Sequence, residues 1–206
     1  MKTRLIIIAV VQFISMSMSA QSLWDASKPD RNFTFGARAG VNFASTDMEY
    51  ATSSRTGFHI GGTAEWNIVK SFSIETGISY ITKGFKSDFG KGSSGYIQVP
   101  VLASYRIETP TGVQFHFNAG PYFSCGVSGS VKYTPYDETF IYNYDQNSFG
   151  KKGFFKRFDT GITVGAYIVL GHLLAGVSYE FGLKDIAKVY GKFHNRNVAI
   201  TVGYNF

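Results

Sequence analysis

Apolar side chains alternate with small or polar ones in eight separate stretches of this chain, and the last stretch ends at the C-terminal residue. In that stretch the apolar positions are Val198, Ile200, Val202, Tyr204 and Phe206. A period of two residues is typical of β-strands with one apolar face and one polar face. The pattern therefore predicts an all-β fold of eight strands.

The predicted strands are joined by connections of alternating length. The strands span residues 33–43, 58–68, 72–80, 97–107, 113–123, 158–168, 173–183 and 198–206. Three short connections alternate with four long ones. Outer-membrane barrels have short periplasmic turns and longer extracellular loops. We therefore predict an eight-stranded antiparallel up-and-down transmembrane β-barrel, with four long extracellular loops and periplasmic termini.

Alternation alone does not decide which face meets water, because a soluble lipocalin-like barrel turns its apolar face inward. The polar face here consists mostly of Gly, Ser and Thr, which suits a narrow lumen better than a water-facing surface. Aromatic residues also gather at the two strand ends, as in the interfacial girdles of membrane barrels. The predicted girdles contain Phe33, Trp66, Phe72, Tyr105, Phe115, Tyr204 and Phe206 on the periplasmic side, and Phe43, Phe58, Tyr80, Phe123, Phe158 and Phe181 on the outer side.

The N-terminal residues are typical of an export signal. Lys2 and Arg4 precede a short apolar run and a group of small residues that ends at Ala20. We predict a signal peptide at 1–20, cleaved after Ser19 or Ala20, a periplasmic lead-in at 21–32 and a barrel domain at 33–206. Without the two basic residues of the leader, 18 basic and 14 acidic residues remain, a net charge of +4.

Four charged residues share the phase of the predicted lumen. A short turn between the second and third strands places Glu65 directly opposite Glu75, where two carboxylates repel each other. Arg38 lies on the strand next to that of Glu65, and Arg106 on the strand next to that of Glu75. We predict a row Arg38–Glu65–Glu75–Arg106 across four strands, joined by charge-assisted hydrogen bonds. Four separately hydrated charges are the alternative.

Two prolines interrupt neighbouring strands. A five-residue turn between the fourth and fifth strands would place Pro100 opposite Gly120 and Pro121 opposite Val99. Proline cannot donate a ladder hydrogen bond, so we predict a local bulge there, with the two prolines side by side near the outer rim.

The third extracellular loop, near residues 126–157, is the longest and is rich in aromatic residues. These residues suit a surface that binds a partner. Alternation at Thr139–Tyr144 leaves a second possibility, a hairpin that continues the flanking strands above the membrane.

Basic residues outnumber acidic ones on the predicted extracellular side. Ordinary solvated loop charge is one explanation. The sharper hypothesis is that eight cations contact lipopolysaccharide phosphates at the rim. The eight are Lys151, Lys152, Lys156, Arg157, Lys184, Lys188, Lys192 and Arg196, and the wider collar adds Arg55, Lys83, Lys86, Lys91 and Lys132.

Four short motifs stand in order along the chain. They are residues 96–102 (Tyr-Ile-Gln-Val-Pro-Val-Leu), 118–122 (Asn-Ala-Gly-Pro-Tyr), 181–186 (Phe-Gly-Leu-Lys-Asp-Ile) and the closing strand that ends Gly-Tyr-Asn-Phe. Together they resemble the PorT-like family of outer-membrane β-barrels. The resemblance implies an outer-membrane location and recognition of the C-terminal strand by the outer-membrane assembly machinery. It implies no shared enzymatic residues.

These features predict a monomeric, non-enzymatic barrel whose extracellular loops contact lipopolysaccharide, surface ligands or partners and which contributes to envelope integrity. No residues are predicted to bind a cofactor, a metal or nucleic acid; the four histidines lack metal-ligand spacing, and Cys125 stands alone. A narrow porin for small solutes is the first alternative. An enzyme acting on outer-leaflet lipid is the second, and it would need a Ser–His or carboxylate–His contact.

Overall fold

A computed structural model describes residues 24–46, 53–87, 90–133, 144–147, 149, 155–186 and 194–206. The predicted leader, Lys151, Lys152, Lys188 and Lys192 lie outside these residues. The strands are β1 (Phe33–Thr46), β2 (Ser53–Val69), β3 (Phe72–Ser87), β4 (Gly90–Glu108), β5 (Val113–Tyr133), β6 (Tyr144–Asn147), β7 (Phe158–Leu170), β8 (Leu173–Gly182) and β9 (Asn195–Asn205).

Eight of these strands form a closed antiparallel ring. Each strand pairs with its neighbour in the chain, β5 pairs with β7, and β9 returns to pair with β1. The short strand β6 pairs only with the outer end of β5 and lies outside the ring. The predicted eight-stranded barrel is therefore confirmed, and β6 is an addition in the third long loop.

The two faces of the barrel are those predicted for a membrane barrel. Large apolar side chains such as Phe35, Ile60 and Val202 point outward and are more than half exposed. Polar side chains such as Asn42, Ser73 and Ser104 point inward and are fully buried. An apolar outer surface above a polar lumen is stable only where the outer surface meets lipid. Among the described residues, none forms a helix long and apolar enough to cross a membrane.

The predicted register between β2 and β3 is confirmed. Glu65 pairs with Glu75, and the same register continues through Ile60 and Tyr80. Above His59 the pairing shifts by one residue, which is a β-bulge. Beside the turn at Lys70–Ser71, Val69 pairs with Phe72, and a shift of one residue between Asn67 and Val69 sets the register that reaches Glu65.

The predicted register between β4 and β5 is wrong by two residues. Pro100 pairs with Tyr122 instead of Gly120. The connecting turn is tighter than expected, because the Thr109 N–H donates to the Val113 carbonyl at 2.8 Å and Gly112 takes a positive φ of 79°. Glycine adopts that conformation without strain.

The prolines do not lie side by side. Pro100 points into the lumen and Pro121 points outward. The ladder between β4 and β5 is interrupted next to Pro100, where Val101 and Leu102 face Pro121 and Gly120 without pairing, and the bulge itself lies at Gly95 and Tyr96.

The strands β2–β5 continue above the apolar belt. β3 pairs with β4 as far as Ser87 and Gly90, and β5 continues to Tyr133, where β6 adds a short antiparallel pairing. β5 and β6 thus form an extended hairpin, which was the second possibility predicted for the third extracellular loop. Its tip, residues 134–143, lies outside the described residues and holds three of the eight aromatic residues of the loop.

The N-terminal segment runs beneath the periplasmic end. Ser71 N–H donates to the Asp25 carbonyl, and Lys70 N–H to the Ser27 carbonyl. Hydrogen bonds from Ser27 lower the pKa of the Asp25 carboxyl. The Trp24 ring stacks on Tyr105 with centroids 6.1 Å apart. The lead-in is thus tied to the β2–β3 turn and to the periplasmic girdle.

Candidate functional site

Inward side chains from β1–β4 form a charged layer in the periplasmic half of the lumen. Glu65 and Glu75 lie opposite each other on β2 and β3. Arg38 Nη2 lies 3.9 Å from Glu75 Oε2, and Arg106 Nε lies 3.8 Å from Glu65 Oε1. Each carboxylate thus has a guanidinium partner, which offsets their mutual repulsion.

The structure brings the four predicted residues together but exchanges the two pairs. Each arginine reaches past the adjacent strand to the carboxylate beyond it, so Arg38 on β1 contacts Glu75 on β3. Glycine makes this possible. A Cβ at Gly36 or at Gly203 would lie 2.5 Å from an atom of the Arg38 side chain. The long guanidinium chain therefore lies over two positions that have no side chain.

Uncharged polar groups complete this lower layer. Ser73 Oγ donates to the Glu65 carboxylate, and Arg106 also donates to the amide oxygen of Asn67. Ser104 Oγ donates to Asn118 Oδ1 at 2.8 Å. Buried charges are tolerated when neighbouring groups satisfy their hydrogen bonds, and this layer supplies such groups.

A second charged cluster, not anticipated from the sequence, lies in the extracellular half of the lumen. Lys83 Nζ lies 2.9 Å from Glu180 Oε2 and 3.7 Å from Asp159 Oδ2. The Lys83 side chain is 1% exposed. The prediction that Lys83 belongs to the outer basic collar is therefore wrong. β3 continues beyond Tyr80, and its alternation turns Lys83 inward.

Polar side chains extend this cluster around the barrel. Gln98 on β4 donates to Glu180 on β8 at 2.6 Å, directly across the lumen. Asn195 donates to Asp159 at 2.8 Å, and Asn197 donates to Glu180 at 3.2 Å. The Lys83 ammonium also lies 4.4 Å from the centre of the Tyr122 ring. The cluster thus joins strands on opposite walls of the barrel.

An apolar cap covers the charged cluster on its extracellular side. Its buried members are Ile81, Tyr96, Phe149, Phe155 and Ile186. The Tyr96 and Phe149 rings meet edge to face with centroids 5.4 Å apart.

Glycine and backbone hydrogen bonds hold the cap in place. A Cβ at Gly126 would lie 2.3 Å from the Phe149 ring, so glycine is needed for that ring to approach. The Gly126 N–H donates to the Arg157 carbonyl at 2.6 Å, and the Lys156 N–H to the Ile186 carbonyl at 2.8 Å. Phe149 and Phe155, expected on a partner-binding loop surface, instead cover the lumen.

Cavities lie between and below the charged layers of the described barrel. A space of about 100 Å³ between the charged layers is lined by polar groups that include His59, Ser79 and Thr201. A vestibule of about 910 Å³ lies at the periplasmic end, beside Arg106 and His116. The vestibule reaches the lower charged layer at Glu65 and Arg106, and the Lys83 cluster and the apolar cap lie across the extracellular half.

The described cations of the predicted lipopolysaccharide set lie at the outer rim near β7–β9. Lys156 Nζ pairs with Asp185 Oδ2 at 3.1 Å, and Arg157 is exposed. Lys184 lies 4.5 Å from the centre of the Phe158 ring, and Arg196 lies 5.3 Å from that of Phe181. The rim therefore combines outer-girdle aromatic rings with positive charge.

The outer membrane protein β-barrel domain family matches residues 19–188 of this sequence. That range covers more than half of the chain. The chain belongs to this family. As a member of a family of outer-membrane barrels, the protein is located in the bacterial outer membrane, and its apolar belt is the surface that meets lipid.

Solved structures of other outer-membrane barrels are similar to this one. Neisserial surface protein A is 17% identical, with a TM-score of 0.48, and the match covers 85% of this chain and 98% of that one. Ail of Yersinia pestis is 14% identical, with a TM-score of 0.48 and coverages of 85% and 100%. OprG of Pseudomonas aeruginosa is 12% identical, with a TM-score of 0.46 and coverages of 90% and 99%. No curated protein matches by sequence. The barrel assignment rests on the strand pairings and the family match.

Three histidines of this outer-membrane barrel, His59, His116 and His172, contact neutral groups. His59 Nε2 lies 3.1 Å from Thr201 Oγ1, His116 Nε2 lies 3.1 Å from Gln114 Oε1, and His172 Nδ1 donates to the Asn205 carbonyl. Within the described ranges, no group of three or more His, Cys, Asp or Glu side chains could hold a metal ion.

The charged residues of the extracellular-half cluster could have been recognised from their phase in the strands. Lys83 has the same odd-numbered phase on β3 as Glu75, and Asp159 and Glu180 have the inward phase on β7 and β8. Asp159 and Glu180 already lay within the predicted strands, and extending the alternation of β3 beyond Tyr80 would have placed Lys83 in the lumen with them. Their mutual contact depends on closure of the barrel.

Proposed function

We propose that this outer-membrane barrel is a non-enzymatic, non-conducting envelope protein that acts through its outer surface. The observation that carries the proposal is the pair of charged layers that lie across the lumen. The Arg38–Glu75 and Arg106–Glu65 pairs lie across one half, and Lys83 with its carboxylates lies across the other. The lumen of an eight-stranded barrel is narrow enough for side chains to span, and both layers span it between the cavities. A narrow porin would need an open path through both layers.

The outer surface offers two regions for contact. One is the extension of β2–β5 above the apolar belt, which β6 widens by one short strand. The other is the basic rim near β7–β9, where Lys156, Arg157, Lys184 and Arg196 lie. We propose that this rim, with Lys151, Lys152, Lys188 and Lys192, contacts lipopolysaccharide phosphates and so contributes to envelope integrity.

Short sequence motifs indicate the place of this chain within its family. The motifs that resemble PorT-like barrels occupy the middle of β4, the Gly-Pro step of β5 and the exit from β8. We propose on that basis that the chain belongs to the PorT-like branch. These motifs lie within the barrel wall, so the proposed role in the envelope depends on the outer surface and not on the motifs.

Planar-bilayer recording tests the proposal. The purified barrel, reconstituted into a bilayer with a lipopolysaccharide-containing leaflet, should give no steady current steps under applied voltage. A general diffusion porin, inserted by the same procedure, serves as the positive control for the recording. Steady steps of porin size from the wild-type barrel would show an open lumen and would overturn the proposal in favour of the narrow porin.

A further inference from the structure

A shallow groove lies on the lipid face at the extracellular ends of β7, β8 and β9. Its volume is about 500 Å³. The apolar walls are Ile162 and Val164 from β7 together with Phe181 and Leu183, and His194 and Arg196 form the remaining side. Ile162, Phe181 and Arg196 are paired in register on three neighbouring strands, so they form one row across the groove.

The groove arises where β8 leaves the ladder. β8 ends at Gly182, and the next two backbone N–H groups, of Leu183 and Lys184, both donate to the Thr160 carbonyl at 2.9 and 3.2 Å. The chain therefore bends towards β7. A Cβ at Gly182 would lie 2.8 Å from backbone atoms of Asn195, so glycine lets β9 approach closely at this level.

Two cations lie on aromatic rings beside the groove. The Arg196 guanidinium lies over Phe181, whose ring is held edge to face by Tyr179 with centroids 4.3 Å apart. The Lys184 ammonium lies over Phe158. A cation on a girdle ring is oriented by the π-face, yet it remains at the height of the lipid head groups. Each can therefore meet an anionic head group without a large change of conformation.

We propose that this groove is a lipid A site, in which one acyl chain of lipopolysaccharide lies along the apolar walls while Arg196 and Lys184 contact its phosphates. The proposal rests on the proposed function and names the site that performs it. Three observations favour this occupant over a glycerophospholipid. The groove is at the extracellular end, where the leaflet is lipopolysaccharide; the described rim side chains around it carry net positive charge; and two cations suit a head group with more than one phosphate.

Native mass spectrometry of the mature full-length barrel in detergent micelles tests this site. The probes are bisphosphorylated lipid A, the same lipid A without phosphates, and phosphatidylglycerol. The variants are the double substitution Arg196→Gln/Lys184→Gln and the groove-filling Val164→Trp. Lys70→Gln, which removes a partly exposed lysine from a periplasmic turn, is the matched control for loss of charge.

The double substitution should weaken binding of bisphosphorylated lipid A about tenfold and leave binding of the dephosphorylated form unchanged, because only the first has charges for the cations to contact. Val164→Trp should weaken both forms, because both insert an acyl chain. Lys70→Gln should change neither affinity.

The possible results separate this inference from the function on which it rests. Wild-type affinity for phosphatidylglycerol equal to that for lipid A would overturn both. A wild-type preference for lipid A that the double substitution leaves unchanged would overturn the site alone. Equal weakening of both lipid A forms by the double substitution would also overturn the site, since the effect of the cations would then not depend on phosphate. Unchanged binding in Val164→Trp would remove the acyl chain from the groove.

Discussion

At the scale of single residues, the least expected feature is a lysine buried among carboxylates in a membrane barrel. Lys83 contacts Glu180 and Asp159, and its ammonium lies over the Tyr122 ring. Gly161 has no side chain and so leaves room for that ring, because a Cβ there would lie 2.7 Å from Tyr122. Removing a buried charge from such a set leaves its partners unmatched, which costs far more than losing an exposed pair.

Lys83→Met should therefore destabilise the barrel strongly. We expect a loss of about 3–5 kcal/mol in the free energy of unfolding, since Glu180 and Asp159 would remain buried without their cation. Urea titration followed by the heat-modifiable shift on an SDS gel measures the change. Lys156→Gln removes a more exposed lysine from its 3.1 Å pair with Asp185 and should cost less than about 1 kcal/mol. Equal losses in the two variants would show that Lys83 is not part of a buried network.

At the scale of strands, registers follow the turns that join them. The β2–β3 register at Glu65 holds because a one-residue shift between Asn67 and Val69 offsets the two-residue turn, whereas β4 and β5 slide by two residues because Thr109 closes a tighter turn. A shift of two residues keeps every side chain on its original face, since the alternation has the same period. After such a shift, the predicted face of each side chain is still correct. The predicted neighbours on the adjacent strand are not.

The hairpin between β5 and β6 can be tested by cross-linking. Ser130 pairs with Asn147, so cysteines at these two positions should form a disulfide under mild oxidation in a Cys125→Ala background. A mobility shift on a non-reducing gel, confirmed by peptide mass analysis, measures the bond. Cysteines at Ser130 and Asp145 are the off-register control, because Asp145 pairs with Lys132. An equal yield from both pairs would contradict the described hairpin.

At the scale of the whole molecule, ring closure brings together residues that are far apart in the chain. β9 pairs with both β1 and β8, and Phe206 adds a last backbone hydrogen bond to the Phe35 carbonyl at 2.8 Å. Closure leaves the Phe206 side chain outward and 62% exposed, so it contributes little packing to the finished barrel. We propose that this ring serves recognition by the assembly machinery during insertion.

Phe206→Ala should accordingly separate assembly from stability. We expect the variant to insert several-fold more slowly in cells, while its free energy of unfolding, from urea titration after refolding in detergent, changes by less than about 0.5 kcal/mol, as for an exposed side chain. The folded fraction on SDS gels after pulse-labelling measures insertion. Phe33→Ala is the matched control, because Phe33 is 59% exposed and belongs to the same periplasmic girdle. Equal slowing in both variants would assign the effect to the girdle and not to recognition.

The sequence by itself determined the strands, their number in the barrel and the side chains that face lipid. These features depend on a period of two residues, which is a local property that each strand carries alone. It also brought Glu65 opposite Glu75, because a short turn confines the register to within one residue of the one observed. The apolar belt, and with it the membrane location, followed from the composition of the two faces.

Only the tertiary structure decided which lumen groups meet. Gln98 and Glu180 lie 82 residues apart in the chain, and they touch only because the ring closes. Arg38 reaches Glu75 because two glycines from β1 and β9 leave space beneath its side chain. The sequence predicted Phe149 and Phe155 at the surface of a loop, whereas in the closed barrel both are buried over the lumen. Contacts across a lumen depend on ring size, strand stagger and vacant glycine positions, and none of these is a property of one strand.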